Sequence, residues 1–299
     1  TTDRTMSQQS FLAALRQAAG KTGSHLTREN REKHLARFAE QCWRAGYQVN
    51  TVEQIKDKHI RCYVEARLAD GASKRTVQNE LANVRKALRG AGRAQYADGD
   101  EISNKTLGIS GASRIGTKVA MSDADLLRFK EGAHRMEPGV AACLELQRVL
   151  GLREKEAVMS VASLSDWKRQ LSVGGAINVL HGTKGGRARA TPPTDRERAI
   201  AAVSAALTLA KTQGGWLIPR DSLEAALNRY SYVCQRIGMV GELASHSLRY
   251  AYAGEHLSAL LRAGVSEREA RAAVSMYLGH GDGRGRWVAM VYARGTIEC

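Results

Sequence analysis

Aromatic residues and proline are scarce in this sequence. Phe occurs three times and Pro four times, and aromatics make up 5% of the chain. A hydrophobic core must therefore come mainly from Leu, Val, Ala and Ile, and long stretches are free of the residue that most disrupts helices. Long apolar runs are missing too. None approaches the ~20 residues needed to cross a bilayer, which excludes a spanning helix. Thr1 to Ser10 is polar and lacks the pattern of a secretory leader. The five cysteines (Cys42, Cys62, Cys143, Cys234, Cys299) are scattered and form no CxxC pair. They read as reduced thiols of a cytoplasmic protein, not as a disulfide or zinc framework. There is no HExxH, no carboxylate cluster at two-metal spacing and no P-loop, so metal-assisted hydrolysis and nucleotide-driven chemistry lack their usual signatures.

Negative charge is in deficit. Lys plus Arg number 45 against 30 Asp plus Glu, a net charge of +15. The excess is spread over both halves of the chain, as expected of a protein that lies along one extended polyanion, most often nucleic acid. With 299 residues and 43% hydrophobic content, the chain can bury real cores, and its length suggests about two domains.

Periodicity predicts a helical first part, 1–97. Its clearest helix starts at the cap-like Ser73 and carries Val77, Leu81, Val84 and Leu88 at spacings of four, three and four, a single apolar stripe. Arg75, Asn79, Arg85, Lys86, Arg89 and Arg93 lie largely off that stripe. Such a face can lie on a phosphate backbone, or be ordinary solvated surface. Residues 98–120 are rich in Gly, Ser and Asp without apolar periodicity and read as a linker. The second domain, 121–299, begins with a helix capped by Ser122. A helix over Gly139–Leu150 follows. Short strands are then expected at Leu164–Trp167, Gln170–Val173, Ala176–Leu180 and Arg187–Ala190, the last two flanking the turn Gly182-Thr183-Lys184-Gly185-Gly186. Helices resume from Asp195. The expected class is mainly α with a small antiparallel β-sheet in the C-terminal domain.

Four segments of that domain hold chemistry-bearing residues: Gly151-Leu152-Arg153-Glu154-Lys155-Glu156, the Lys184 turn with Arg187 and Arg189, His246-Ser247-Leu248-Arg249-Tyr250, and Leu278-Gly279-His280 followed by Val291-Tyr292. Each alone has an ordinary structural reading. Their order, Arg…Lys…His-x-x-Arg…His…Tyr, resembles the tyrosine recombinase (phage integrase) family over most of the chain. The resemblance implies a two-domain recombinase that cuts and rejoins double-stranded DNA through a 3′-phosphotyrosyl link and a Holliday junction. It implies no cofactor and no metal.

Residue by residue, the resemblance makes Arg153 and Arg249 the grip on the scissile phosphate, a task that suits the permanently charged guanidinium fork. Tyr292 becomes the nucleophile, Lys184 the general acid for the leaving 5′-oxygen, His246 a proton carrier for Tyr292 and His280 a phosphate donor. Glu156 would orient Arg153. Arg75, Asn79, Arg85, Lys86, Arg89, Arg187 and Arg189 are expected on DNA. Partners implied are a homotetramer on DNA and accessory DNA-bending proteins, in a bacterial or phage setting. His280 to Tyr292 and Arg249 to His280 are longer than the family's usual spacing, which leaves Trp287 as an alternative to His280. Only Ala293–Cys299 follow Tyr292, so either the sequence continues or protomer contacts come from elsewhere. Rival readings are a type IB topoisomerase-like relaxing enzyme and a catalytically inactive DNA-binding regulator.

Overall fold

A computed structural model describes residues 2–113, 115–281 and 283–292, with the side chains of residues 2–8 outside the description. Cys299 and the segment Ala293–Cys299 lie outside the described residues. The chain divides into two compact units, with the boundary after Ser113. No described helix is long and apolar enough to cross a membrane.

The first unit is helical: α1 Thr2–Ala19, α2 His25–Arg44, α3 Asp57–Ala69, α4 Lys74–Gly90 and α5 Ala94–Asp98. The hydroxyl of Ser73 accepts the Thr76 N–H at 3.1 Å and starts α4, and the stripe Val77, Leu81, Val84 and Leu88 is buried as its spacing predicts. Phe38 sits between Phe11 and Tyr63 at ring-centroid distances of 6.3 and 5.3 Å. Glu80, fully buried on α4, accepts from Tyr63 Oη at 2.8 Å and from Arg67 Nε at 3.0 Å, and pairs with Arg37. A buried carboxylate satisfied by three partners ties α2, α3 and α4 together.

Much of the expected linker is packed. Ile102, Leu107 and Ile109 are buried in the first unit's core. Gln78 Nε2 donates to the Ile109 carbonyl at 2.6 Å. These apolar positions follow no period, because they line an irregular loop, and so gave no sequence signal.

The second unit comprises α6 Asp123–Met136, α7 Pro138–Leu150, α8 Glu154–Val158, α9 Leu164–Ser172, β1 Ile177–Val179, β2 Arg189–Thr191, α10 Arg196–Thr212, α11 Leu223–Arg236, α12 Ser247–Arg262, α13 Glu267–Tyr277 and α14 Gly285–Val291. Strands β1 and β2 pair antiparallel, Ile177 opposite Thr191 and Val179 opposite Arg189. The strands expected at Leu164–Trp167 and Gln170–Val173 are instead the single helix α9. It buries Leu164, Trp167 and Leu171, and spacings of three and four are helical, not strand-like. Most of α7 is buried, with a core of Leu144, Leu146, Val149 and Leu150. Its end at Gly151 and the N-terminus of α8 hand Arg153 to the site. A separate apolar cluster, including Tyr250, Tyr252, Val274, Leu278, Val288, Val291 and Tyr292, joins α12, α13 and α14.

Candidate active site

The site is assembled around the C-terminus of α13. The last carbonyls of a helix have no partner within it and present partial negative charge. Here arginines take them. Arg189 Nε donates to the Tyr277 carbonyl at 2.9 Å, and Arg153 Nη2 to the Leu278 carbonyl at 3.2 Å. Arg249 Nη2 donates to that same Leu278 oxygen, and its Nη1 to the Gly151 carbonyl. Two donors that share one acceptor oxygen stand within about 6 Å of each other, so Arg153 and Arg249 are side by side although 96 positions separate them in the chain.

Gly279 ends the helix in the left-handed conformation, φ 67°, which glycine adopts without the Cβ penalty. A Cβ there would also lie 2.8 Å from Arg189 Cδ. The Leu-Gly-His motif thus lets an arginine approach and turns the chain so that His280 follows.

Glu156 is the carboxylate of the cluster. It accepts from Arg153 N and Nη1, both at 2.7 Å, and from both terminal nitrogens of Arg189. Burial works against its charge, yet the Arg189 hydrogen bonds and charge, with Arg249 and the Arg153 N–H, hold its pKa down at about 2. Arg249 is fully buried. That burial, with Arg153 and Arg189 nearby, brings its guanidinium down to about 10, while Tyr292 and Glu156 act the other way. Its Nε–H has no partner among the described residues.

Tyr292 is buried at the end of α14. Its phenol oxygen lies 3.2 Å from His280 Nε2 and 3.4 Å from His246 Nε2. One phenol proton cannot serve both, so one imidazole accepts from Tyr292 and the other donates to it. Withdrawal of the ring from water, followed by the charges of Arg249, Arg153 and Lys118, lowers His246 to about 4, although the residue as a whole is exposed. The same causes, with Arg284 and His246 in place of Lys118, lower His280 to about 3. Both are neutral at pH 7. Trp287 packs in the α12–α14 cluster with its ring 6.5 Å from that of His280, and the hydrogen bond to the phenol is made by His280. The Tyr252 hydroxyl is engaged by Thr191 and the Pro192 carbonyl. The Tyr250 ring stacks at a tilt 4.7 Å from that of Tyr292.

Lys184 lies outside this contact network, exposed in a 3-10 turn over Lys184–Gly186. Gly182, just before it, seats the turn against α8: a Cβ there would lie 2.8 Å from the Lys155 carbonyl oxygen. Arg187 is exposed on the same turn.

Arg189 does not fit its expected place on DNA. It is buried, because its guanidinium neutralises Glu156 and caps α13. In the first unit, Arg85 donates to the Ile102 carbonyl and to Asn104, and Arg89 pairs with Asp98. Those two are therefore engaged within the fold. Arg75 and Asn79 are exposed and Lys86 is half-buried. Sequence reading gave no sign of the Leu278 carbonyl as the meeting point, since a backbone oxygen carries no residue signature.

Two family models match the chain. Residues 7–97 match the phage integrase N-terminal family, and residues 108–255 match the integrase family. The chain belongs to the phage integrase family of tyrosine recombinases. The integrase match takes in Arg153, Lys184, His246 and Arg249 and stops before His280 and Tyr292. No curated protein matches the chain. Solved structures of similar fold include a lambda integrase tetramer bound to a Holliday junction, at 17% identity and TM-score 0.60, covering 96% of this chain and 78% of that one. A lambda integrase dimer bound to a COC′ core site is 15% identical with TM-score 0.60, covering 93% and 92%. The Tn1549 transposon integrase with circular intermediate DNA is 13% identical with TM-score 0.60, covering 94% and 98%. At these identities the likeness establishes the fold. Its family makes this a DNA-binding protein of DNA recombination and integration.

Proposed function

We propose that this integrase-family protein is a site-specific recombinase that cleaves and rejoins double-stranded DNA through a 3′-phosphotyrosyl intermediate. The observation that carries the reading is the meeting of the Tyr292 phenol with His246 and His280, in a unit where Arg153 and Arg249 share one carbonyl.

In this reading Tyr292 Oη attacks the scissile phosphorus as its proton passes to His246, neutral and therefore able to accept it. The Oη–P bond forms and the P–O5′ bond breaks. Lys184, on its exposed turn, protonates the departing 5′-oxygen. His280 donates to a non-bridging oxygen. A 5′-hydroxyl from another strand reverses the steps, so the bond energy is kept in the covalent intermediate. Strand exchange between two duplexes needs four such sites, hence a homotetramer on DNA that passes through a Holliday junction, as lambda integrase is seen bound to one.

The charge balance supports this role. Arg153, Arg189 and Arg249 face one carboxylate, Glu156, leaving two positive charges in excess. A phosphodiester brings one negative charge and its pentavalent transition state two. The cluster is thus better matched to the transition state than to the bound ground state, which is the condition for rate acceleration.

The test uses duplex carrying the protein's footprinted site, nicked beside the cleavage point, in EDTA. Wild type should become covalently attached. Tyr292→Phe should abolish the adduct while DNA affinity stays within about two-fold. Arg249→Ala should slow adduct formation by about 10²- to 10³-fold, the usual cost of losing one preorganised donor. A covalent adduct with Tyr292→Phe refutes the assignment.

A further inference from the structure

The chain from Ile115 to Met121 crosses the second unit as a strap. The Gly116 N–H donates to the Met290 carbonyl at 3.2 Å, Val119 N–H to the Glu242 carbonyl at 3.3 Å and Met121 N–H to the Ser247 carbonyl at 3.4 Å. Lys118 Nζ adds a bond to the Gly241 carbonyl at 2.5 Å. The acceptors lie at the end of α14, in the 3-10 turn Gly241–Leu243 and at the first residue of α12. The strap therefore touches the element that carries Tyr292 and both sides of His246.

Helix α14 has only seven residues, too few to hold its own position, since most helical stability comes from tertiary packing. At Gly116 the strap meets it more closely than any side chain allows. A Cβ there would lie 2.2 Å from the Val291 carbonyl oxygen and 2.4 Å from Tyr250 Oη. The first atom is backbone adjoining Tyr292 and cannot swing aside. The second belongs to the ring that packs against Tyr292. Gly116 is not in the left-handed conformation, so close approach, not backbone freedom, demands glycine here.

We propose that Gly116 is a positioning residue for the nucleophile: the strap fixes the seat of α14 and so places Tyr292 Oη between His246 and His280. This rests on the nucleophile assignment above. Alanine at 116 has to separate strap and helix by about 1 Å, a displacement that costs about 100-fold when it misaligns a reacting group.

The experiment compares wild type, Gly116→Ala and Tyr292→Phe as full chains. Single-turnover adduct formation at saturating nicked duplex should fall about 10- to 100-fold in Gly116→Ala, with DNA affinity within about two-fold of wild type. In 15N spectra the His246 and His280 side-chain nitrogens of Gly116→Ala should move toward their positions in Tyr292→Phe, a signature that a general loss of stability does not give. A folded Gly116→Ala protein with wild-type rate and wild-type imidazole signals overturns the proposal. Should Gly116→Ala fail to fold, Lys118→Met, which releases the strap at Gly241, should slow the adduct about three- to ten-fold. Lys118→Arg should restore it, and equal rates in all three proteins overturn the proposal. An adduct with Tyr292→Phe instead removes the nucleophile assignment, an outcome read independently of Gly116.

Discussion

Glutamine at position 156 tests the electrostatic frame of the site most directly. The side chain of Glu156 is buried and accepts four hydrogen bonds from Arg153 and Arg189. Its pKa in the fold is about 2, against an ordinary 4.5. Each unit is about 1.36 kcal/mol, so the ionised carboxylate contributes about 3 kcal/mol of stability at neutral pH. Glu156→Gln keeps the shape but turns an amide N–H toward arginine donors, so that contribution should vanish. A loss of about 3 kcal/mol lowers Tm by roughly 6–12 °C for a domain of this size. The sign with pH follows from the depressed pKa. The stabilisation is full above the unfolded value of 4.5 and is lost as pH falls through about 2. The gap between wild type and Glu156→Gln should therefore narrow to about 2 kcal/mol at pH 3.5. Urea melts of both proteins at pH 7 and 3.5 measure it. Equal stability at pH 7, or a gap that widens on acidification, refutes the reasoning.

Two further perturbations separate roles that the sequence left together. Arg189→Ala should destabilise the fold by about 3–5 kcal/mol, because it leaves Glu156 buried with one partner fewer, whereas Arg187→Ala should leave the melt unchanged and lower the salt dependence of DNA binding by about one phosphate contact. Wild-type stability in Arg189→Ala would sink that distinction. NMR titration of the free protein should find His246 and His280 neutral at pH 6.5 and protonating only near pH 4 and 3, as their lowered pKa values require. Each then adds stability that is complete above about pH 6.5 and lost on acidification toward those values; titration of either at 6.5 or above contradicts the site's electrostatics.

The sequence by itself determined whatever depends on neighbours in the chain. The α4 stripe and its Ser73 cap, the Ser122 cap of α6 and the hairpin-like pair β1 and β2 are local patterns, and local patterns carry their own period and capping chemistry. Family motifs also name residue types in order, which is why Arg153, Lys184, His246, Arg249, His280 and Tyr292 could be singled out. Even locally the reading failed where a period was cut short: two small apolar groups in α9 passed for strands. Tertiary structure alone decided the rest. The hydrogen bond between His280 and the phenol depends on how α13 and α14 pack, and spacing does not encode that. Arg187 and Arg189 sit two positions apart in one basic stretch, yet one faces solvent and the other neutralises Glu156 beneath α13. Arg153 and Leu278, 125 positions apart, become neighbours only when the chain closes, because charge pairing and the capping of helix ends act through space and leave no trace in the linear order.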